Sequence, residues 1–210
     1  MNKIIESFKK AQIEAFFVET KQDAKEKVIE IIEKRRIALG RAEKEMQISW
    51  GGSVTLDETG IRDAVREKYN ALNPYAGKTP EEQTRLKRQA LLSDVFLMST
   101  NAITENGELV NIDGNGNRLG ALICGPDMVI IVVGKNKITK NLAEAHKRVK
   151  QIACVKNARR LNRATPCAQN GACGNCYIAG NTICAHTVVT RFSTIPDRIK
   201  LILVNEELGY

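Results

Sequence analysis

Four cysteines, Cys167, Cys173, Cys176 and Cys184, fall in the spacing C-x5-C-x2-C-x7-C. Thiolates so close in sequence can converge on one soft metal ion after modest chain folding. Gly171, Gly174 and Gly180 lie among them and let the backbone turn sharply around whatever the sulfurs hold. A structural zinc site more usually brings two C-x2-C knuckles, and only one is present. All-cysteine ligation from a single glycine-bearing loop is similar to iron–sulfur ligation. An iron–sulfur cluster, zinc and metal-free thiols are the three readings of the spacing. Cys124 and Cys154 stand in apolar or helical contexts and read as buried small hydrophobes.

A second group of residues suits anions. Gly51-Gly52-Ser53 follows a short apolar strand and precedes a helix, where free backbone N–H groups favour a negative ligand; an ordinary tight turn is the alternative. Ser99 to Gly107, with Thr100 and Asn101, is a run of small polar groups after another apolar strand. In an open parallel sheet, ligands bind beyond such strand ends. Glu105, in that run, is a candidate nucleophile or general base, or else an exposed turn residue. Asp113 to Arg118 is a polar loop in which Asn117 and Arg118 are candidate ligand contacts, Arg118 through a bidentate clamp on a carboxylate or phosphate; a plain hairpin turn is the alternative. Arg159, Arg160 and Arg163, just before the cysteine loop, form either a solvated helix face or a positive rim for an anion. No Walker loop or H-E-x-x-H helix occurs.

The elements that must position these groups are legible in the hydrophobic pattern. Ala24, Val28, Ile31 and Ile32 form the stripe of a core-facing helix over Lys21 to Arg36. Thr79-Pro80-Glu81-Glu82 predicts a helix start, with Thr79 as N-cap, Pro80 at the first position and Glu82 completing a capping box. One helix is expected from Leu56 to Lys68 and another from Thr139 to about Arg160. Short apolar strands are expected at Ala15–Val18, Met46–Trp50, Asp94–Ser99, Glu108–Ile112, Met128–Val133, Thr187–Phe192 and Lys200–Val204. Helices alternating with such strands indicate an α/β fold, Rossmann-like, with a mostly parallel sheet and helices on both faces. The expectation is one domain over residues 1–210, with a cysteine-rich insertion at about 164–185.

The chain is 43% hydrophobic and 27% charged, the balance of a globular protein with a real core. Its formal charge of +8 tempts a nucleic-acid reading, but basic and acidic residues are mixed along most helices and few aromatics are available for stacking. No nucleic acid is expected as a partner. The longest apolar run is far short of a membrane span, the N-terminus lacks the apolar core of a signal peptide, and a cytoplasmic location is expected.

Three passages taken together carry a family resemblance: Trp50-Gly51-Gly52-Ser53, the run from Asp94 to Arg118, and the strand ending Val132-Val133-Gly134. With the closing Ile202 to Gly209, they resemble the LUD-domain family of lactate-utilisation proteins, formerly DUF162, over nearly the whole chain. The resemblance implies the fold shared by glucosamine-6-phosphate deaminase, ribose-5-phosphate isomerase and the CoA transferases. It implies a subunit or accessory of the oxidation of L-lactate, or a related hydroxy acid, to the keto acid. Its partners would be a small anionic metabolite and iron–sulfur or flavin oxidoreductase subunits, with a homo-oligomer left open. Thr104-Glu105-Asn106-Gly107 is also similar to a CoA-transferase motif whose glutamate attacks the acyl group. A stand-alone isomerase or acyl-transferring enzyme using Glu105, and a non-catalytic ligand sensor, are the alternatives.

Overall fold

The run Met128–Val133 is apolar at every position because both faces of its strand are covered: Met128, Ile130 and Val132 enter one core, Val129, Ile131 and Val133 another. The computed structural model describes residues 1–210. In chain order the elements are α1 (Asn2–Lys10), β1 (Glu14–Val18), α2 (Lys21–Ala38), β2 (Gln47–Trp50), α3 (Val54–Glu58), α4 (Ile61–Lys68), β3 (Asn70–Leu72), α5 (Pro80–Ala90), β4 (Val95–Met98), β5 (Ala102–Thr104), β6 (Leu109–Asp113) and α6 (Asn117–Ile123). They continue with β7 (Met128–Gly134), β8 (Ile138–Thr139), α7 (Leu142–Arg148), α8 (Cys154–Arg160), α9 (Pro166–Asn170), β9 (His186–Thr190) and β10 (Ile199–Val204). A π turn, Val149–Ala153, carries α7 into α8.

Six strands in the order β1-β10-β7-β4-β2-β3 form an entirely parallel sheet. α2, α3 and α4 cover one face through Ala24, Val28, Leu56, Ile61 and Val65. α1, α5 and α6 cover the other through Ile4, Phe8, Ala90, Ala121 and Leu122. The α/β architecture with helices on both faces is therefore the one the apolar pattern predicts. No helix is long and apolar enough to cross a membrane.

The pattern does not predict a second sheet, in the order β8-β5-β6-β9, in which the β5–β6 and β6–β9 pairs are antiparallel. The helix formed by α7, the π turn and α8 packs on it through Ala145, Val149 and Cys154. Other departures are local. The helix expected over Leu56–Lys68 is two helices, because Gly60 enters the left-handed region (φ 66°) between them. Thr79 does cap α5, accepting from Glu82 N at 3.2 Å, but the Glu82 carboxylate turns to Lys78 N at 2.8 Å, so the capping box is incomplete. A complete one forms instead between Thr20 and Asp23 at the start of α2.

The connections place a crevice at the strand ends. After β2 the chain leaves through α3 and α4 on one face to reach β3. After β4 it leaves through β5, β6 and α6, and α6 lies on the opposite face. Neighbouring parallel strands whose outgoing connections diverge leave a gap at their carboxyl ends, where ligands of such sheets bind.

Candidate functional site

A cleft of about 600 Å³ opens at that gap. Its floor comes from the strand ends of the large sheet: Gly52, Ser53 and Thr55 after β2, Ser99 to Asn101 after β4, and Lys137 after β7. One wall is the β6–α6 corner, Ile112 to Asn115 with Asn117 and Arg118; another is α8, with Cys154, Asn157 and Arg160. Gly180, Thr182 and Ile183 of the cysteine loop close it together with Tyr210. Four basic side chains, Arg118, Lys137, Arg160 and Arg163, line the cleft against one acid, Asp113, which Arg118 already pairs at 3.2 Å. The π turn sits where it re-aims the helix, leaving Ala153 and Cys154 on the cleft wall.

Lys137 is the chemically most unusual of these residues, and the sequence pattern does not single it out. Its side chain is 2% exposed, and its Nζ donates to Thr55 Oγ1 at 2.9 Å and Ser99 Oγ at 3.0 Å. No carboxylate pairs with it among the ion pairs of the structure. Burial first, and then the guanidinium groups of Arg148 and Arg118, push its pKa from 10.5 down to about 7; Glu58 opposes this weakly. The lysine is thus poised between charged and neutral forms at ordinary pH.

Arg118 is in the cleft, as the sequence reading expects, but not as a free clamp. Its Nη1 donates to Ser99 O (3.3 Å), its Nη2 to Ile112 O (2.6 Å) and Asn101 Oδ1 (3.4 Å), and its Nε faces Asp113. Three of the five N–H groups are hydrogen-bonded and the Nε edge faces the carboxylate of Asp113, which leaves one Nη1 N–H for a ligand rather than a bidentate grip. The guanidinium instead ties together the two segments that form the floor and wall. Gly51 lies just behind it: a Cβ there would come within 2.4 Å of Arg118 Cγ, so only glycine lets the arginine stem pass.

The other residues expected to bind ligand divide in the same way. Gly52, Ser53, Thr100, Asn101 and Asn117 line the cleft, and Gly51 supports it. The Ser53 hydroxyl caps α3 by accepting from Leu56 N at 3.2 Å, and that helix has only five residues. Arg62 pins the carbonyls of Gly51 and Ser53 at 3.0 Å each. Thr100 donates to Ala102 O (3.1 Å), and Asn101 Oδ1 accepts from Ile112 N (3.0 Å). These groups shape the cleft more than they face into it. Two of the three residues of the expected positive rim, Arg160 and Arg163, line the cleft, whereas Arg159 turns to Ala168 O. Arg163 holds the loop through Gly180 O at 2.9 Å and keeps a buried, unpartnered Nε.

Glu105 does not join them. Thr104 to Gly107 is the turn of the β5–β6 hairpin, at the end of β5 remote from the cleft. Asn101 reaches the cleft, and the four residues to Glu105 span roughly 13 Å of extended chain. Glu105 N bonds Thr139 O at 2.9 Å, and Gly107 (φ 87°) backs directly onto the α1 backbone at Ser7 and Phe8. The motif that suggested a nucleophile is here a hairpin turn wedged against a helix.

The cysteine loop stands beside the cleft. Cys167, Cys173, Cys176 and Cys184 are free and half-buried. Ile183 backs onto Gly114 with 3.2 Å between its carbonyl oxygen and a Cβ built there, so the loop is braced against the β6–α6 corner. Burial, and then Cys176, Cys173 and Cys167, push the Cys184 thiol up. The donor type and number fit a soft metal ion or cluster, but the sulfurs are not gathered: no three His, Cys, Asp or Glu side chains form a ligand set. Cys167 instead meets Thr165 Oγ1 at 3.3 Å, Cys176 meets Thr182 Oγ1 at 3.6 Å and Cys173 meets Asn175 Oδ1 at 3.8 Å. Of the two cysteines expected to be buried, Cys124 is exposed at the end of α6. Cys154 is buried, but in contact with the loop: Cys184 packs on its cluster, and burial with the neighbouring thiols raises its pKa to about 12.

Comparison with known proteins adds the following. The model of the LUD domain matches residues 1–204. Among solved structures the chain is similar to a DUF162 family protein from Deinococcus radiodurans, at 13% identity and a TM-score of 0.52, over 97% of this chain and 94% of that one. That likeness concerns the fold. A weaker likeness, to eIF2B delta from Chaetomium thermophilum, has 18% identity and a TM-score of 0.31 over 53% of this chain and 48% of that one, and carries no argument. No curated protein matches the sequence.

Proposed function

The chain belongs to the LUD-domain family, which is associated with lactate utilisation, and from that premise we propose that it serves the oxidation of lactate, or a related 2-hydroxy acid, to the 2-oxo acid. The observation that carries this reading is a cleft at the strand ends with four cations and a single, already paired acid. A carboxylate entering it meets Lys137 on the floor and Arg160 and Arg163 at the rim, while the remaining N–H of Arg118 offers one further donor. The low-dielectric floor strengthens the attraction, and burial of Lys137 means that an anion relieves a charge with no other partner.

Cys167, Cys173, Cys176 and Cys184 would hold an iron–sulfur cluster beside the cleft. Such a cluster supplies one-electron transfer when bound. The loop's glycines give its backbone the freedom to gather the sulfurs, Gly171 and Gly180 already being left-handed (φ 81° and 72°). Electrons leaving the site would pass to an iron–sulfur or flavin oxidoreductase subunit.

Anaerobic reconstitution with iron and sulfide tests the electron-carrying part. A visible chromophore with bound iron is expected, and Cys176→Ser should lose both. A colourless protein without iron after reconstitution would rule that part out. Thermal shift with L-lactate tests the anion part separately: the wild-type protein should be stabilised, and no shift at millimolar concentration would exclude it.

A further inference from the structure

Lys137 holds two polar neighbours in a way that fixes where its third valence points. Thr55 Oγ1 lies 3.4 Å from Leu208 O, and Ser99 Oγ lies 3.4 Å from Thr100 O. Both hydroxyl protons are therefore directed at backbone carbonyls, and each oxygen turns a lone pair to Nζ. A lysine amine has two N–H bonds when neutral, and both are taken. The remaining tetrahedral position is not taken by any protein hydrogen bond, and Lys137 lines the cleft, so that position is available to a molecule bound there.

From this arrangement we propose that Lys137 is a carbonyl-capturing amine, forming an imine with a 2-oxo acid or another carbonyl compound that bears an anionic group. In the neutral amine the position facing the cleft is a lone pair, the form required of a nucleophile. The amine adds to the carbonyl carbon, a proton passes from nitrogen to the former carbonyl oxygen, and loss of one water leaves the C=N bond. Nothing is oxidised or reduced, and no co-reactant is needed. The groups that face Lys137 favour a neutral amine: Arg118 from α6 and Arg148 from α7 are cationic, and only Glu58 from α3 opposes them. Arg160 donates through Nε and Nη2 to Tyr210 and Asn157, and Arg163 through Nη1 to Gly180 O, which leaves Nη1 of the first and Nη2 of the second for the carboxylate of the bound carbonyl compound.

The substrate class rests on the anion-binding reading of the cleft, so the experiment separates the two. Full-length protein is incubated with pyruvate and cyanoborohydride, digested, and mapped by mass spectrometry. One reduced pyruvate adduct, on Lys137 and not on the surface lysines, is expected, with loss of that adduct in Lys137→Arg. Mapping on the wild-type chain identifies the residue even if the variant does not fold. L-lactate, which has no carbonyl to trap, reports anion binding alone. Stabilisation by lactate without a pyruvate adduct would overturn the imine and leave the anion site standing. An adduct confined to Lys137 without any lactate effect would support the imine and remove the hydroxy acid. Labelling spread evenly over surface lysines would overturn the proposal.

Discussion

Replacing Lys137 with methionine is expected to stabilise the protein at neutral and acid pH, and to erase a rise of stability with pH that the wild-type chain shows. The sign follows from linkage. In the unfolded chain the lysine titrates near 10.4; in the folded protein its pKa is pushed down to about 7. Between these values the unfolded state binds more protons, so wild-type stability climbs as pH rises through that window. Below about 7 both states are charged and the full cost of burying the ammonium is borne. Methionine removes that cost, roughly 4–5 kcal/mol for a shift of this size. It also leaves the Thr55 and Ser99 oxygens without their donor, a loss of about 1 kcal/mol each. The expected pattern in urea denaturation across pH is a net gain of about 2–3 kcal/mol below neutrality that shrinks as pH rises and reverses, toward pH 10, to a loss of about 2 kcal/mol, because only the two lost hydrogen bonds then count. Equal pH slopes in the two proteins would show that the lysine is not buried as described.

Arg118→Ala has the opposite effect and a larger one. The guanidinium joins Ser99, Asn101 and Ile112 and neutralises Asp113, which is 8% exposed. Without it, a nearly buried carboxylate and two main-chain carbonyls lose their partner in one step. Breaking a buried pair from one side costs about 3–5 kcal/mol. The loss should appear as a reduced denaturation midpoint with collapse of anion binding, because Ser99 also positions Lys137. Arg118→Lys should recover little, since a lysine cannot fork to Ser99, Ile112 and Asp113 together. Retention of full stability in Arg118→Ala would mean that the floor and wall are held by other means.

What the sequence made legible, and what it did not, follows from the range of the interactions involved. The strand Met128–Gly134 and helix α2 declare themselves by local periodicity, and Thr79-Pro80 marks the start of α5 through caps made within four residues. β5 and β8 have three and two residues, and their pairings join Ile103 to Ile138, so no local pattern announces the second sheet. Glu105 stands out in the sequence through a polar run after a strand and a four-residue motif; the seat of its turn is decided by contacts of Gly107 with Ser7 and of Glu105 with Thr139, distant in the chain. Lys137 was invisible for a related reason. A lysine after a strand is ordinarily solvated, and its burial depends on hydroxyls 82 and 38 residues away. Arg118 was recognisable as a cation at the site, but only the structure distinguishes a ligand clamp from a strut.

The anion cleft with Lys137 on its floor is tested most directly by calorimetric titration of L-lactate near pH 8, in two buffers of different ionisation enthalpy. At that pH most Lys137 side chains are neutral, and a bound carboxylate favours the charged form, so binding should draw a fraction of a proton from the buffer. The apparent enthalpy should therefore differ between buffers for the wild-type protein and coincide for Lys137→Met. Binding of undiminished affinity in Lys137→Met, with an enthalpy indifferent to the buffer in both proteins, would place the anion elsewhere and contradict the assignment.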